Sequence, residues 1–355
     1  MLGQQWAFAW RHPIIEVCVL SFTEERLKEL LHNFRGKKIA VVGDLMLDRY
    51  YWGSVQRVSP EAPVPVVEVE SESVRLGGAA NVAWNIQALG GEAVLVGLIG
   101  NDHVGHSLLG MLKERNLATR GVVVDRSRPT TIKTRVIAHG QHVVRIDNES
   151  KAECPDHLVS VLIDAVRHNI SELDGIVIED YNKGVVTDEV IRQVIDVAKK
   201  YDKIVTVDPK FNNFTEYKGV TVFKPNRREV EEVLGGRLKS IEDVVSAGQR
   251  LLSMLSAQNV LLTRGEQGMS LFESNGGTMH IPTMADHVQD VSGAGDTVIA
   301  TLTMALAGGA GIREACVLAN CAGGVVVGEV GIVPIDPARL VTAALRQSNH
   351  AQVPY

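Results

Sequence analysis

The sequence predicts an α/β fold in which a mainly parallel sheet is covered by helices on both faces. Short apolar runs of strand length recur at 38–42, 94–98, 176–178, 204–207, 220–223 and 260–262. Amphipathic stretches of helix length alternate with them, at 156 to about 168, 188–200 and 241–256. Size agrees: 355 residues, 45% hydrophobic and 22% charged, bury a large core as one α/β domain with a small appendage. In such a sheet, ligands bind at the carboxyl ends of the strands.

Residues 1–20 read as a loose extension and 21–350 as the domain. Arg11, His12, Pro13 and Glu16 interrupt the N-terminal apolar run, leaving it too short and too polar for a signal core or a membrane span. Order is expected to begin where Ser21 and Glu24 have capping-box spacing, ahead of a helical stripe of Leu27, Leu30, Leu31 and Phe34. Two regions break the strand–helix alternation, about 49–70 and 130–146. In them period-two patterns such as Ile132, Thr134 and Val136 indicate strands with one solvated face.

A formal net charge of −6, with no long basic run, argues against a nucleic-acid partner and for small-molecule chemistry. Cys18, Cys154, Cys316 and Cys321 are scattered without zinc-type spacing, which fits a reducing cytoplasm, and Cys316 and Cys321 fall in an apolar helical stretch as core thiols.

The most informative segment is Asp290-Val291-Ser292-Gly293-Ala294-Gly295-Asp296-Thr297, a glycine turn entering a helix whose apolar face is Val298, Ile299, Leu302, Ala305 and Leu306. The first amides of a helix lack internal partners and carry the positive end of its dipole, so those of Ala294, Gly295 and Asp296 can receive an anion. Gly293 and Gly295 allow close approach. A carboxylate beside that anion serves chemistry if it faces the other reactant and takes a proton from an attacking hydroxyl, which makes Asp296 the candidate general base. A helix cap is its alternative role. No Gly-x-x-x-x-Gly-Lys-Ser/Thr loop is present, and Gly43-Asp44-Leu45 stands where a dinucleotide fingerprint would follow the first strand.

A second glycine turn enters a helix at Leu76-Gly77-Gly78-Ala79-Ala80-Asn81. Together the two segments resemble the two signatures of the ribokinase-like (PfkB-type) carbohydrate kinases, over the chain from about Gly36 onward. The stretches Val41 to Tyr50 and Arg57 to Val67, with Thr263-Arg264-Gly265-Glu266-Gln267-Gly268, look like bacterial D-glycero-D-manno-heptose 7-phosphate kinases. That family is often fused to an adenylyltransferase. With Tyr355 the last residue, the stand-alone kinase is the form this sequence resembles.

The resemblance implies ATP and Mg²⁺, a phosphorylated heptose as acceptor, and a β lid over the sugar that also builds a homodimer interface. It places Asp44, Gly77, Gly78 and Asn81 at the carbohydrate. Asp44 is suited as a bidentate acceptor of two sugar hydroxyls. The remote phosphate needs cations, with Arg49, Arg75, Lys133, Arg135 and Arg145 as candidates. Lys133 and Arg135 rank first because they share one face of a lid strand. Asp208 and Lys210 end another strand near the site. Asn226 and Glu229, in a Pro-Asn-x-x-Glu element, are expected near the phosphates, with Glu229 beside the metal. Thr263, Arg264, Gly265 and Gly268 should border the phosphates, and Asn320 the adenosine. Another phosphosugar kinase, or a binding regulator without turnover, is the alternative function.

Overall fold

The computed structural model describes residues 16–17, 20–285 and 287–350. In chain order the first half comprises β1 (Glu16–Val17), α1 (Glu24–Phe34), β2 (Lys38–Gly43), β3 (Leu45–Val58), β4 (Pro65–Gly78), α2 (Ala79–Ala88), β5 (Glu92–Gly100), α3 (His103–Glu114), β6 (Ala118–Asp125), β7 (Thr131–Ala138) and β8 (Gln141–Asn148). The second half comprises α4 (Asp156–Asn169), β9 (Gly175–Glu179), α5 (Asp188–Lys200), β10 (Ile204–Asp208), β11 (Val222–Phe223), α6 (Arg227–Leu234), α7 (Ile241–Leu255), β12 (Asn259–Thr263), β13 (Met269–Glu273), β14 (Thr278–Ile281), α8 (Ala294–Ala307), α9 (Ile312–Val326) and α10 (Pro337–His350).

Among the described residues, ten strands form one sheet in the order β1-β14-β13-β12-β11-β10-β9-β2-β5-β6, parallel except where β13 runs antiparallel to both its neighbours. Period-two alternation divides its residues between two cores. Ile39, Val41, Val177 and Leu261 pack with helices α1, α2, α8 and α9. Ala40, Val42, Ile178 and Leu262 pack with α4, α5, α6 and α7 on the other face. Burial on both faces is why these strands read as continuous apolar runs.

Some boundaries differ from the sequence reading. Helix α1 is capped by Thr23, whose side chain accepts from Arg26 N, and not by Ser21. The run 220–223 yields only Val222–Phe223 as strand, because the Thr221 hydroxyl takes the Val205 amide and replaces a ladder bond. Most of the expected loose extension lies outside the described residues, though Glu16–Val17 within it pairs in parallel with β14.

The remaining four strands form a separate sheet in the order β4-β3-β7-β8. It leaves the main sheet abruptly: Asp44 alone separates β2 from β3. Strand β3 pairs antiparallel with β4 from Leu45↔Gly78 to Val58↔Pro65, so the hairpin returns the chain directly to the Gly77–Gly78 turn and α2. These four strands are the two regions expected to have one solvated face, and they are longer than the pattern suggested.

Candidate active site

Gly293 caps the start of helix α8, and its φ of 74° is left-handed and suits glycine. A Cβ there would lie 2.8 Å from Asn81 Nδ2. That amide is needed elsewhere, because it donates to Asp296 Oδ2 at 2.8 Å. The Tyr181 hydroxyl donates to Asp296 Oδ1 at 2.7 Å, so both oxygens of the carboxylate are aimed by neutral donors. Burial pushes the Asp296 carboxyl up to about 6, the two donated hydrogen bonds oppose it, and Asp208 and Asp48 add to the rise. Tyr181 is held well above the ordinary phenol range by burial and by Asp296, so it remains a donor.

The two glycine turns meet through Asn85, one turn along α2 from Asn81. Its Nδ2 donates to the Asn81 backbone oxygen at 3.0 Å, and its Oδ1 accepts from the Thr297 hydroxyl at 3.2 Å and from Ile335 N at 2.9 Å. This buried polar chain locks α2 against α8. It brings Asn81 and Asp296, 215 residues apart, into one site.

On the far side of the Gly293–Gly295 turn lies a charged cluster. A Cβ on Gly295 would sit 3.3 Å from Asp208 Oδ2 and 3.6 Å from Lys224 Nζ, which pair with each other at 2.7 Å. Lys210 pairs with Glu229 and lies 5.3 Å from the centre of the Tyr181 ring. Glu229 completes a capping box with Asn226 at the start of α6, its Oε2 accepting the Asn226 amide at 2.8 Å. Burial raises the Glu229 carboxyl, with Asp208 adding and Lys210 opposing. Glu179, fully buried with neither oxygen bonded among the described residues, is pushed well above the ordinary carboxylate range by burial, then by Asp208 and Asp296.

Beyond the same turn is a cavity of about 480 Å³, lined by Thr263, Gly265, Gly268, Val291, Ala294, Gly295, Val298 and Asn320. Its lining is chiefly apolar, and it opens onto the amides that begin α8. Arg264 is not among the lining residues. Its guanidinium turns back onto the Gln267 carbonyl at 2.9 Å, closing the turn Gly265–Gln267.

Asp44 departs most from expectation. It is buried, and its two oxygens accept the backbone amides of Tyr181 at 2.7 Å, Lys183 at 3.1 Å and Val185 at 3.2 Å. A carboxylate so occupied organises the loop after β9 and keeps one acceptor position of about four, too few to grip two sugar hydroxyls as a bidentate partner. Burial and Asp180 push it up to about 6 against those three amides. Asp48 faces the site in its place: a Cβ on Gly77 would collide with its carboxylate, it pairs with Arg135, and its charge is felt at Asp296. Lys133 and Arg135 lie on the lid as expected, yet both are already in ion pairs, Lys133 with Glu149 at 3.0 Å and Arg135 with Asp48. Arg49 and Arg145 likewise hold Glu72 and Asp147.

Asp48, Tyr181 and Asn85 escaped the sequence reading. A signal existed for Tyr181, since Asp180-Tyr181-Asn182-Lys183-Gly184 follows directly on strand β9, at the sheet end where ligands bind. Asp48 carried none, because only lid register decides which face of β3 it occupies.

A buried carboxylate over one glycine turn, a helix start able to receive an anion behind it and an apolar cavity beyond divide the candidate site in two. That division is the mark of a phosphotransferase. The chain belongs to the pfkB family of carbohydrate kinases, whose family model matches residues 36–339, and so is an ATP-dependent sugar kinase.

It is 44% identical over 301 residues to the "Bifunctional protein HldE" of Geobacter sulfurreducens, covering 85% of this chain and 61% of that protein. It is also 44% identical over 324 residues to the protein of the same name from Caulobacter vibrioides, covering 90% and 66%. The chain therefore spans about two thirds or less of these relatives. In fold it is similar to phosphofructokinase-2 from Escherichia coli in complex with substrates and products, with TM-score 0.74, 21% identity and coverage of 88% of this chain and 99% of that one. Arabidopsis thaliana ribokinase complexed with ribose and ATP gives TM-score 0.69 at 19% identity, with coverage of 87% and 99%. No helix among the described residues is long and apolar enough to cross a membrane.

Proposed function

We propose that this kinase transfers the γ-phosphoryl group of ATP to the anomeric hydroxyl of D-glycero-D-manno-heptose 7-phosphate, giving heptose 1,7-bisphosphate and ADP for lipopolysaccharide core synthesis in the cytoplasm. The observation that carries the mechanism is Asp296, buried, held at both oxygens, and set in the first turn of the helix that receives the phosphate. The heptose assignment is supported by the resemblance of the N-terminal strand and lid segments to heptose 7-phosphate kinases and by the 41–44% identity to HldE proteins.

The sugar lies under the lid against Gly77, Gly78, Asn81 and Asp48, where two side-chain-free residues let main chain approach its ring. Asp296 takes the proton of the attacking hydroxyl, and its elevated pKa brings its basicity near working pH. The amides of Ala294, Gly295 and Asp296 and the helix dipole stabilise charge on the transferring group. The apolar cavity bordered by Val291, Val298 and Asn320 takes the adenosine, with Thr263, Gly265 and Gly268 towards the phosphates.

Among the described residues no three His, Cys, Asp or Glu side chains converge to hold a metal unaided. Mg²⁺ keeps waters and is bound largely by nucleotide phosphates, so it needs no such cluster. Glu229 and Asp208, oxygen donors paired with Lys210 and Lys224 respectively, would hold its hydration shell. When bound it neutralises charge on the phosphate oxygens.

Homodimerisation through the lid is part of this reading: β8 is exposed along its length and displays Val144 and Ile146 to solvent.

The test is ADP release with Mg·ATP across phosphosugars including D-glycero-D-manno-heptose 7-phosphate, fructose 6-phosphate and fructose 1-phosphate, with products resolved by phosphorus NMR. A strong preference for the heptose with a new anomeric phosphate signal supports the assignment. Turnover of a different sugar overturns the substrate, and turnover of none overturns the kinase reading of this site.

A further inference from the structure

One cluster in the lid is left over from this account. Lys133 on β7 and Lys183 on the loop after β9 converge on one carboxylate, Glu149, and Lys133 also lies 3.5 Å from Asp147. The Lys133 ammonium donates to Oε2 at 3.0 Å, and the Lys183 ammonium to Oε1 at 2.6 Å. All three side chains are 12–14% exposed, so the cluster is neither a solvated surface pair nor a dry core pair.

Its framework is rigid. Arg128, itself paired with Asp125, donates to the carbonyls of Lys183, Ala152 and Glu153 at 3.0–3.1 Å, tying the Lys183 loop to the segment that follows Glu149. Asp44 clamps the same loop through the Lys183 amide. The cluster also borders the acceptor side. Lys183 lies two residues beyond Tyr181, which bonds the base. Lys133 is the register partner of Asp48 across β3 and β7, and Arg75 is the partner of Asp48 across β3 and β4. Burial alone would raise the Glu149 carboxyl, but the two lysine hydrogen bonds outweigh it and hold it low.

Two ammonium groups fixed about one carboxylate make a dianion site filled from within. We propose that Lys133 and Lys183 bind the phosphate carried by the sugar substrate, and that Glu149 occupies their donors until that phosphate displaces it. The inference rests on the acceptor being a phosphosugar. A phosphate offers more charge and more acceptor oxygens than a carboxylate, so it can compete with Glu149 for the two ammonium groups. Because Lys133 belongs to the lid and Lys183 to the main body, the bound phosphate ties one to the other, and an unphosphorylated sugar cannot. Lys183 thus selects the substrate class.

The experiment is calorimetric titration of D-glycero-D-manno-heptose 7-phosphate, the unphosphorylated heptose and a non-hydrolysable ATP analogue into the full chain and its Lys183→Met, Lys183→Arg and Glu149→Gln variants. Lys183→Met is expected to weaken the phosphosugar about tenfold or more, with the unphosphorylated sugar and the nucleotide analogue unchanged. Lys183→Arg should restore part of the preference, and Glu149→Gln should tighten the phosphosugar by removing its competitor. Equal weakening of both sugars by Lys183→Met, undiminished phosphosugar binding, or weaker phosphosugar binding in Glu149→Gln overturns the proposal. Should the panel of acceptors identify another phosphosugar, the same titrations on that sugar and its unphosphorylated form keep this test separate from the heptose assignment.

Discussion

Replacing Tyr181 with Phe removes one hydroxyl and nothing else from the ring that covers Asp296. The hydroxyl donates at 2.7 Å to a buried carboxylate, a bond that favours the ionised base. Hydrogen bonds to charged groups contribute about 1.5–3 kcal/mol, and about 1.4 kcal/mol corresponds to one pH unit in an acid's midpoint. Asp296 starts from about 6, where it is roughly nine-tenths ionised at pH 7. Loss of the donor raises its midpoint by about one to two pH units, leaving roughly a half to a tenth of the base ionised at pH 7.

The sign follows from the role. A base must be deprotonated to act, so activity is lost as pH falls through the midpoint, and the variant loses it at higher pH than the parent. The assay is kcat/KM for the sugar at saturating Mg·ATP, from pH 5 to 9 at constant ionic strength, with ADP release followed continuously. The acid limb of Tyr181→Phe should move upward, while its rate at pH 9 stays within a few-fold of the parent. An unmoved acid limb, or a rate depressed equally at every pH, would refute the role given to this hydrogen bond.

Other perturbations separate the remaining roles. Asp296→Asn should lower kcat by about a hundredfold or more with nucleotide affinity retained in equilibrium binding, since it removes the proton acceptor and leaves the cavity intact. Asp44→Ala strands three amides that now share one carboxylate; urea unfolding should show a loss of about 2–5 kcal/mol, whereas a mere sugar contact would leave stability unchanged. Gly77→Ala drives a methyl group into Asp48 and should raise KM for the sugar far more than KM for ATP in steady-state kinetics. Ile146→Lys on the exposed strand β8 should shift the protein to monomer in light scattering, and an unchanged molar mass would remove the lid interface.

What was legible in the sequence and what was not divides along the range of the forces involved. Strands such as β9 and helices such as α5 were readable because burial on both faces of the sheet and on one face of the helix leaves a local periodic record. The α8 turn was readable because a left-handed residue and a close approach demand glycine. Asp296 could be picked out by its place in the first turn of that helix. Asp44 could not be interpreted locally: a carboxylate after a strand and a glycine suits either a ligand or a loop hub, and the choice depends on amides 137 to 141 residues away.

By itself, then, the sequence determined the α/β layering, the two glycine turns, the proposed base and the kinase family it resembles, all features encoded within a few residues of one another. Tertiary structure alone decided that Asp48 and not Asp44 lies against Gly77, that Tyr181 and Asn81 both hold Asp296, and that Lys133 and Lys183 meet on Glu149. Those are contacts between elements far apart in the chain. They depend on strand register and on which loop lands at the end of which strand, and neither leaves a pattern in neighbouring residues.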